Sequence, residues 1–331
     1  MNTPDNIPVI DISALRNETS TSHQLTDIGK KINTACKQHG FFYISGHGVS
    51  VSLQQQLEQL SKEFFLLREA EKMKISMEKG GKTWRGYFPV GDELTSGKPD
   101  QKEGIYFGEE LSNSHPKIKA GIPLHGKNLF PSYPEGLKKV VADYMAATTE
   151  VGHLVMKGIA ISLELKPDHF RATITSDPFI LFRIFHYPAQ RKKEETWGVG
   201  EHTDYGLLTI LKQDNVGGLQ VKANGKWIEA PVIENTFICN IGDMLDCMTG
   251  GLYRSTPHRV RNISDKNRLS FPLFFDPDFD AEVKPILGIP SPISPSEKRW
   301  DNADVYNFEG KYGDYLVRKV SKVFPRLFSK V

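Results

Sequence analysis

The chain has 331 residues, of which 39% are hydrophobic and 25% are charged, values typical of a globular protein with a sizeable core. Its 42 Lys and Arg residues nearly balance its 40 Asp and Glu residues, which leaves a net charge of +2. This balance gives no electrostatic reason to expect nucleic acid or a membrane surface as a partner.

The cysteines and the N-terminus bear on the compartment. Cys36, Cys239 and Cys247 form no C-x-x-C pair, so we expect free thiols in a reducing environment. The opening stretch "MNTPDNIPVIDIS" lacks a basic region followed by an apolar core, so we expect no signal peptide. No apolar stretch approaches the roughly 20 residues that span a bilayer. These features predict a cytoplasmic protein.

Short strands alternate with amphipathic helices in the first part of the chain. The segments 7–13 and 41–47 are rich in strand-forming residues. Between them, 22–40 has the periodicity of a helix, and 51–77 is helical again. Many Gly, Pro, Asn and Ser residues then predict a loop-rich region over 80–130.

The rest of the chain predicts a β-rich core. A helix at about 135–164 keeps its apolar residues on one face and should pack along a sheet. From residue 179 onward, short strand-like segments with turns between them favour a sandwich or jelly roll, followed by a last helix near 311–324. We predict a mainly β protein with flanking helices. Residues 1–130 would form an N-terminal α/β extension, packed in one compact unit on 131–331, which holds the long helix, a double-stranded β-helix (jelly roll) core and the C-terminal helix.

The stretch "EHTDYGLLTIL" contains a possible metal site. His202 and Asp204 are two positions apart and would point the same way from an extended backbone. His258 opens a distant strand candidate and completes a set of two histidines and one carboxylate. Such a facial triad binds Fe(II) and leaves positions open for a cosubstrate and O₂, although zinc also accepts these ligands. The alternative for the His-Thr-Asp stretch is an ordinary polar turn.

A possible carboxylate site follows ten residues later, in "NRLSFPLFFDPDFD". Arg268 and Ser270 are two apart on a strand, so both can face one cavity. The planar guanidinium binds a carboxylate through two hydrogen bonds, and the hydroxyl can add a third. The alternative is a salt bridge from Arg268 to a carboxylate of the protein itself.

The sequence resembles the isopenicillin N synthase-like family of Fe(II)/2-oxoglutarate-dependent dioxygenases. The resemblance covers nearly the whole chain, through the segments "IPVIDIS", "HGFFYISGHGV", "WRGYFPVG", "EGIYFG", "HTDYGLLTIL", "GGLQV", "KWIEAP", "FICNIGDMLDCMTGGLYRSTPHRV" and "RLSFPLFF". It implies that His202, Asp204 and His258 are the iron ligands.

The same resemblance implies a cosubstrate site. Arg268 and Ser270 match the Arg-x-Ser pair that holds the distal carboxylate of 2-oxoglutarate, and Tyr187 matches a tyrosine that donates to it. Phe185 and Gln190 stand where plant members usually have Asn and Cys. This departure argues against a specific plant hormone or flavonoid step.

The implied activity is the hydroxylation or desaturation of a small organic metabolite by a monomer. It would use Fe(II), O₂ and 2-oxoglutarate, release succinate and CO₂, and need ascorbate as the reductant in assays. By match to the family, Arg85, Tyr87 and Phe275 are candidates to line the substrate site. Arg85 would favour a substrate that carries a carboxylate; its alternative is a surface loop charge.

Two other functions stay open at this point. The first is an Fe(II) oxidase of the isopenicillin N synthase type, which keeps the Arg-x-Ser pair for its own substrate and does not consume 2-oxoglutarate. The second is a non-catalytic jelly roll that binds a ligand. The complete set of metal ligands argues against the second.

Strand parity adds a geometric prediction. If the segments 258–263 and 268–275 form an antiparallel hairpin, His258 and Arg268 share the interior face only under one of two conditions. Either the connecting loop has an odd length, or a β-bulge shifts the parity.

Overall fold

The computed structural model describes residues 6–95, 97–189, 197–223, 225–261, 264–289, 292, 299–301 and 305–324. The helices are α1 (Ser13–Arg16), α2 (Ser22–Gln38), α3 (Val51–Phe65), α4 (Glu69–Lys72), α5 (Met77–Gly80), α6 (Pro116–Lys119), α7 (Leu137–Ser162), α8 (His169–Thr173), α9 (Asp243–Met248) and α10 (Tyr312–Val323). The strands are β1 (Val9–Asp11), β2 (Phe41–Ser45), β3 (Gly86–Phe88), β4 (Leu94–Thr95), β5 (Lys98–Pro99), β6 (Glu103–Gly108), β7 (Pro178–Tyr187), β8 (Val199–His202), β9 (Leu208–Gln213), β10 (Leu219–Ala223), β11 (Lys226–Glu229), β12 (Phe237–Ile241), β13 (His258–Val260), β14 (Arg268–Asp278), β15 (Glu282–Val283) and β16 (Gly310–Lys311).

Two sheets form the core of the molecule. The larger has the strand order β1-β2-β12-β9-β14-β7-β6-β3, and the smaller has the order β11-β10-β13-β8. From β7 to β14 the chain alternates between the two sheets, except that β10 and β11 form a hairpin within the smaller one. This arrangement is a double-stranded β-helix, so the predicted fold class is confirmed.

N-terminal strands extend the larger sheet at both edges. At one edge β1 lies parallel to β2, and β2 pairs with β12; at the other, β6 and then β3 extend the sheet beyond β7. All six residues of β6 are buried, so the prediction of a loop-rich region over 80–130 misses a buried strand. The predicted division near residue 130 falls between α6 and α7 and stays a prediction.

The long helix α7 packs against the outer face of the larger sheet. It is observed close to the predicted 135–164, and its buried side includes Val141, Tyr144 and Val155. Gly152 of α7 lies against the ring of Phe275 in β14, where a Cβ atom would clash with that ring. The helix therefore supports the sheet closely from outside the jelly roll.

The connection between β13 and β14 differs from the predicted hairpin. β13 pairs with β8 and β10, whereas β14 pairs with β7 and β9. The two strands lie in different sheets, so the supposed hairpin does not form and the parity rule that depends on it does not apply. Residues 262 and 263 of this connection lie outside the described residues.

The cysteines and the helices can now be described directly. Cys36, Cys239 and Cys247 are free and buried. Burial raises the pKa of the Cys247 thiol to about 12, so it stays protonated at neutral pH. In the part of the chain that the structure describes, every helix falls short of the length and apolar character needed to cross a membrane.

Candidate active site

A cavity of about 170 Å³ lies between the two sheets. Side chains two apart on a strand share a face, and alternate residues line the cavity, namely 181, 183, 185 and 187 of β7 and 268, 270, 272, 274 and 276 of β14. The six residues predicted for the metal and the cosubstrate all line this one cavity: Tyr187, His202, Asp204, His258, Arg268 and Ser270.

The three predicted metal ligands converge on one point. His258 of β13 lies opposite His202 of β8 in the antiparallel register, and their ring centroids are 4.2 Å apart. Asp204 follows β8, and its Oδ1 atom lies 3.8 Å from the Nε2 atom of each histidine. One possible ligand atom from each residue lies within 4.8 Å of the others. This spacing fits one metal ion.

Backbone carbonyls orient both histidine rings. Nδ1 of His202 lies 2.8 Å from the Gly200 carbonyl, and Nδ1 of His258 lies 3.2 Å from the Thr256 carbonyl. A carbonyl only accepts, so each Nδ1 must donate, which leaves Nε2 as the free lone pair for a metal. Burial and the neighbouring His202 lower the pKa of His258 to about 4, so this ring is neutral at pH 7.

Two side chains fix the carboxylate. Oδ2 of Asp204 accepts hydrogen bonds from Thr209 Oγ1 at 2.6 Å and from Asn240 Nδ2 at 2.7 Å. The second oxygen, Oδ1, therefore stays turned towards the histidines. Burial raises the pKa of Asp204, but the neighbouring His258 and His202 and the two hydrogen bonds outweigh it. The pKa lies below its ordinary value, and the carboxylate is ionised.

Arg268 is fully buried and only partly hydrogen bonded. Its Nε donates to the Gly217 carbonyl, in a turn where Gly218 takes a φ of +93° that favours glycine. Its guanidinium lies 4.6 Å from the ring centroid of Tyr187, and Ser270 Oγ lies 3.5 Å from the Tyr187 hydroxyl. Neither Nη1 nor Nη2 has a hydrogen-bond partner among the described residues. Buried unpaired donors on a cation are costly, so this pair of donors fits a ligand carboxylate.

Arg85 and Tyr87, predicted to line the substrate site, lie outside this cavity. Arg85 is buried and donates from Nη2 to the Leu124 carbonyl at 3.0 Å, so it is not a surface loop charge either. Tyr87 donates to Glu103 Oε2 at 2.5 Å. β3 and its surroundings lie at the outer edge of the larger sheet, beyond β6, so neither side chain lines this cavity and their role in substrate binding stays a prediction.

Phe275, the third predicted substrate residue, lies on the opposite face of β14 from the cavity. Its ring packs on Gly152 and makes an edge contact with His153 of α7, with ring centroids 4.9 Å apart. The cavity-facing residues of β14 are the even-numbered ones, so Phe275 points outwards. Strand parity therefore keeps this side chain out of the cavity, and its role in substrate binding stays a prediction.

Residues that hold the metal ligands or line the cavity and that sequence reasoning missed include Glu93, Lys102, Arg183, Thr209 and Asn240. Strand parity was a usable signal for Arg183, which lies four positions before Tyr187 on β7. Phe185, one of the departures from the plant pattern, lines the cavity. Gln190, the other, lies outside the described residues.

Comparison with known proteins agrees with this geometry. A family model for the 2OG-Fe(II) oxygenase superfamily matches residues 178–277, which contain most of the jelly roll. A second model, for the N-terminal region of the non-haem dioxygenases in morphine synthesis, matches residues 7–133. Together the two matches cover more than half of the chain.

Curated relatives extend over nearly the full length. A probable iron/ascorbate oxidoreductase of Dictyostelium discoideum is 49% identical, with 99% of this chain and 98% of the relative covered. A 1-aminocyclopropane-1-carboxylate oxidase of Dictyostelium mucoroides is 38% identical (97% and 96% covered). A homoarginine-6-hydroxylase of Oryza sativa subsp. japonica is 36% identical (95% and 96% covered).

A solved structure shows the same architecture. It is that of a full-length Neurospora crassa protein in complex with alpha-KG and thymine, and it matches with a TM-score of 0.80 and 25% identity. The match covers 97% of this chain and 98% of that one.

The jelly roll and the convergent ligands define a mononuclear non-haem iron enzyme. With the family and full-length matches, the chain belongs to the 2OG-Fe(II) oxygenase superfamily. It is an oxidoreductase of the iron- and 2-oxoglutarate-dependent class that oxidises a small organic molecule.

Proposed function

We propose that His202, Asp204 and His258 hold the catalytic Fe(II). Each histidine presents Nε2 because a carbonyl engages its Nδ1, and Asp204 presents Oδ1 because its Oδ2 is hydrogen bonded. Two neutral nitrogens and one anionic oxygen on one side of the ion suit Fe(II). When bound, this metal supplies the redox chemistry that uses O₂ and 2-oxoglutarate.

Arg268 binds the distal carboxylate of 2-oxoglutarate, assisted by Ser270 and Tyr187. The observation that carries this assignment is the pair of unpartnered Nη atoms of Arg268, within the described residues, in the cavity that the metal ligands also line. Two parallel hydrogen bonds from these atoms would satisfy a carboxylate and remove the penalty of the buried donors. The Tyr187 ring holds the guanidinium plane in position.

The substrate is a small α-amino acid, and the reaction is a hydroxylation. Two of the relatives are named for α-amino acids, 1-aminocyclopropane-1-carboxylate and homoarginine, and one of these is named a hydroxylase. The cavity, at about 170 Å³, limits the size of the molecule. Its lining carries both acidic and basic side chains, which suits a zwitterion.

A second candidate is an oxidase that does not consume 2-oxoglutarate. One observation favours it, namely that a relative 38% identical over nearly the whole chain carries the name of an oxidase. In that case Arg268 would bind a carboxylate of the substrate itself.

The test is a screen of α-amino acids for turnover with Fe(II), ascorbate and O₂, with and without 2-oxoglutarate. We expect substrate-stimulated release of succinate that needs 2-oxoglutarate, and a hydroxylated product by mass spectrometry. Full substrate oxidation in the absence of 2-oxoglutarate would establish the second candidate instead.

We also propose that the enzyme works as a monomer in the cytoplasm, without nucleic acid or membrane partners. The buried free thiols support a reducing compartment. The positive and negative charges nearly balance, so the net charge of the protein does not favour binding of a polyanion. Sedimentation of the purified protein and imaging of a tagged chain in cells test these points.

A further inference from the structure

A second group of buried charges lines the cavity away from Arg268. Arg183 of β7 lies four residues before Tyr187, which is the register partner of Arg268, so it is about 13 Å further along the strand. Glu93 and Lys102 line the cavity with it. These three residues, together with Asp100 behind Lys102, are called the far-end cluster below.

Lys102 in this cluster is fully compensated. Its Nζ lies 2.8 Å from Glu93 Oε2 and also contacts Asp100 Oδ2. Burial lowers the pKa of Lys102, but the two carboxylates outweigh it, so the pKa lies above its ordinary value. Because two carboxylates already surround the Lys102 ammonium, this group has little capacity to attract a ligand. Lys102 therefore stabilises the fold.

Arg183 is compensated much less. Its nearest ion-pair contact, from Nη1 to Glu93 Oε1, is 3.7 Å long, which exceeds a hydrogen bond. Its Nε has no hydrogen-bond partner among the described residues. Aromatic rings hold the guanidinium instead, with the Tyr106 centroid at 4.0 Å, Trp84 at 4.4 Å and Phe274 at 4.7 Å. Ring contacts fix the group but accept no hydrogen bond in its plane, so its donors stay available.

Glu93 beside it is an ionised carboxylate with room for one more donor. Its Oε1 accepts from the Tyr106 hydroxyl at 2.5 Å and has a second lone pair. Burial raises the pKa of Glu93, but Lys102 and Arg183 outweigh it and hold the pKa below its ordinary value. Arg183 Nη1 and Glu93 Oε1 are therefore a cation and an anion side by side with a gap between them.

We propose that Arg183 binds the carboxylate of the substrate and that Glu93 accepts its α-ammonium group; this assignment rests on the function proposed above. An α-amino acid carries both charges on one carbon, about as close as the 3.7 Å that separates Nη1 from Oε1. The cluster has two cations and two anions, so its formal charge is zero. A zwitterion binds there without leaving a net charge buried, whereas an anion or a cation alone would.

This pair replaces Arg85 as the determinant of substrate charge. Arg85 is buried against Gly108 and donates through Nη2 to the Leu124 carbonyl, while its Nε and Nη1 have no hydrogen-bond partner among the described residues. It does not line the cavity, so it serves as a matched control for a buried arginine that cannot reach the substrate. Arg85 is 1% exposed and the Arg183 side chain is 11% exposed, and of the two only Arg183 lines the cavity.

The test compares each amino acid with its methyl ester and its N-acetyl derivative. The probes are L-homoarginine, 1-aminocyclopropane-1-carboxylic acid and the standard α-amino acids. Binding is measured by calorimetry on the protein loaded with Mn(II) and 2-oxoglutarate. We expect the wild type to bind at least one free amino acid roughly 30-fold or more tightly than its ester. Arg183→Gln should reduce that preference to a few-fold, Arg183→Lys should restore part of it, and Arg85→Gln should keep it.

Glu93→Gln provides the second arm. This change should remove the preference for the free amine over the N-acetyl derivative while the preference for the free acid remains. A wild type that prefers the ester, or an Arg183→Gln variant that keeps the wild-type preference, would overturn the assignment of Arg183.

Affinity for 2-oxoglutarate separates this inference from the proposed function. Arg183→Gln should keep wild-type affinity for 2-oxoglutarate, because Arg268 binds it. If the wild type binds 2-oxoglutarate but none of the amino acids, the substrate class is wrong and the cosubstrate assignment stands. If the wild type does not bind 2-oxoglutarate, the proposed function fails. If Arg183→Gln does not fold, the assignment of Arg183 is tested by the Arg183→Lys variant and by the ester comparison on the wild type.

Discussion

The two ends of the cavity hold buried cations in opposite states. At the far end, Lys102 contacts two carboxylates, Glu93 and Asp100. At the near end, Arg268 is just as buried, yet both of its Nη atoms lack a hydrogen-bond partner among the described residues. A buried charge without partners destabilises the folded protein unless a ligand supplies them. The contrast therefore separates a cation that stabilises the fold from one that is arranged for a ligand.

Arg183 lies between these extremes. It has one long ionic contact and three aromatic neighbours, so it is held in place and still has donors to offer. The degree of compensation, rather than burial or charge, distinguishes the three cations.

The largest effect is expected at the metal, between the two ends. His202→Ala, Asp204→Ala and His258→Ala should each lower turnover by roughly a thousand-fold or more, because each removes one ligand of the triad. Fe(II) binding, measured by titration under nitrogen, should weaken in parallel. His23→Ala on the exposed side of α2 is the control. Full activity in any one of the three variants would remove that residue from the metal site.

Lys102→Met tests the compensated cation. The change leaves Glu93 and Asp100 buried without their shared partner, so the free energy of unfolding should fall by about 3–5 kcal/mol. The folded fraction should bind 2-oxoglutarate as the wild type does. Urea denaturation and calorimetry measure the two quantities. An unchanged unfolding midpoint would mean that Lys102 does not stabilise the fold.

Arg268→Ala should show the reverse pattern. The KM for 2-oxoglutarate should rise roughly 30-fold to several thousand-fold, since a buried charge pair loses one partner. This rise corresponds to a loss of about 2–5 kcal/mol of binding free energy. Stability in the absence of cosubstrate should change far less, because the Nη atoms have no partner to lose within the described residues. A large loss of stability with an unchanged KM would place Arg268 with Lys102 instead.

Strand parity explains much of what the sequence predicts about the site. Residues two apart on a strand share a face, so Arg268 and Ser270 meet in one cavity, as the spacing indicates. The same rule places Phe275 on the outer face of β14 and the Arg183 side chain in the cavity. The sequence-based choice of substrate residues did not apply this rule.

Other features depend on long-range pairing that no local pattern contains. Consecutive strands are usually neighbours, which made a hairpin of β13 and β14 a natural expectation. In a jelly roll the chain crosses between sheets, so the two strands face each other across the cavity. Glu93 and Lys102 come from a region whose composition predicts loops. Their contact with Arg183 depends on β6 pairing with β7, which the sequence does not specify.

Asp246 extends the comparison to a buried anion outside the cavity. Burial raises its pKa from the ordinary 3.8 to about 6, although Ser255 N and the Tyr306 hydroxyl donate to it at 2.8 Å each. The folded protein therefore holds the proton more tightly than the unfolded chain. This contribution to stability is fully present below pH 3.8, falls as the pH rises to about 6, and is constant above it.

Asp246→Asn, which resembles the protonated acid, should remove that decline. The difference in stability between variant and wild type should shift in favour of the variant by roughly 2 kcal/mol between pH 4 and pH 6. Urea unfolding at a series of pH values measures it. A constant difference across this range would show that the carboxyl ionises at its ordinary pKa.

Ser270→Ala is the finest test of the near end. The Ser270 hydroxyl lies 3.5 Å from the Tyr187 hydroxyl, which is too far for a strong hydrogen bond. The Ser270 hydroxyl is therefore held only weakly before a carboxylate binds. Loss of the Ser270 hydroxyl should raise the KM for 2-oxoglutarate roughly five-fold. This corresponds to about 1 kcal/mol of binding free energy, the contribution of one neutral hydrogen bond. Tyr187→Phe is the matched change on the opposing strand and should have an effect of similar size. In the Ser270→Ala/Tyr187→Phe double variant, the loss of binding free energy for 2-oxoglutarate should not exceed the sum of the two single losses. It should also not exceed the loss in Arg268→Ala, because all three side chains bind one carboxylate. An effect of Ser270→Ala as large as that of Arg268→Ala would mean that the hydroxyl, and not the guanidinium, is the main donor at this end.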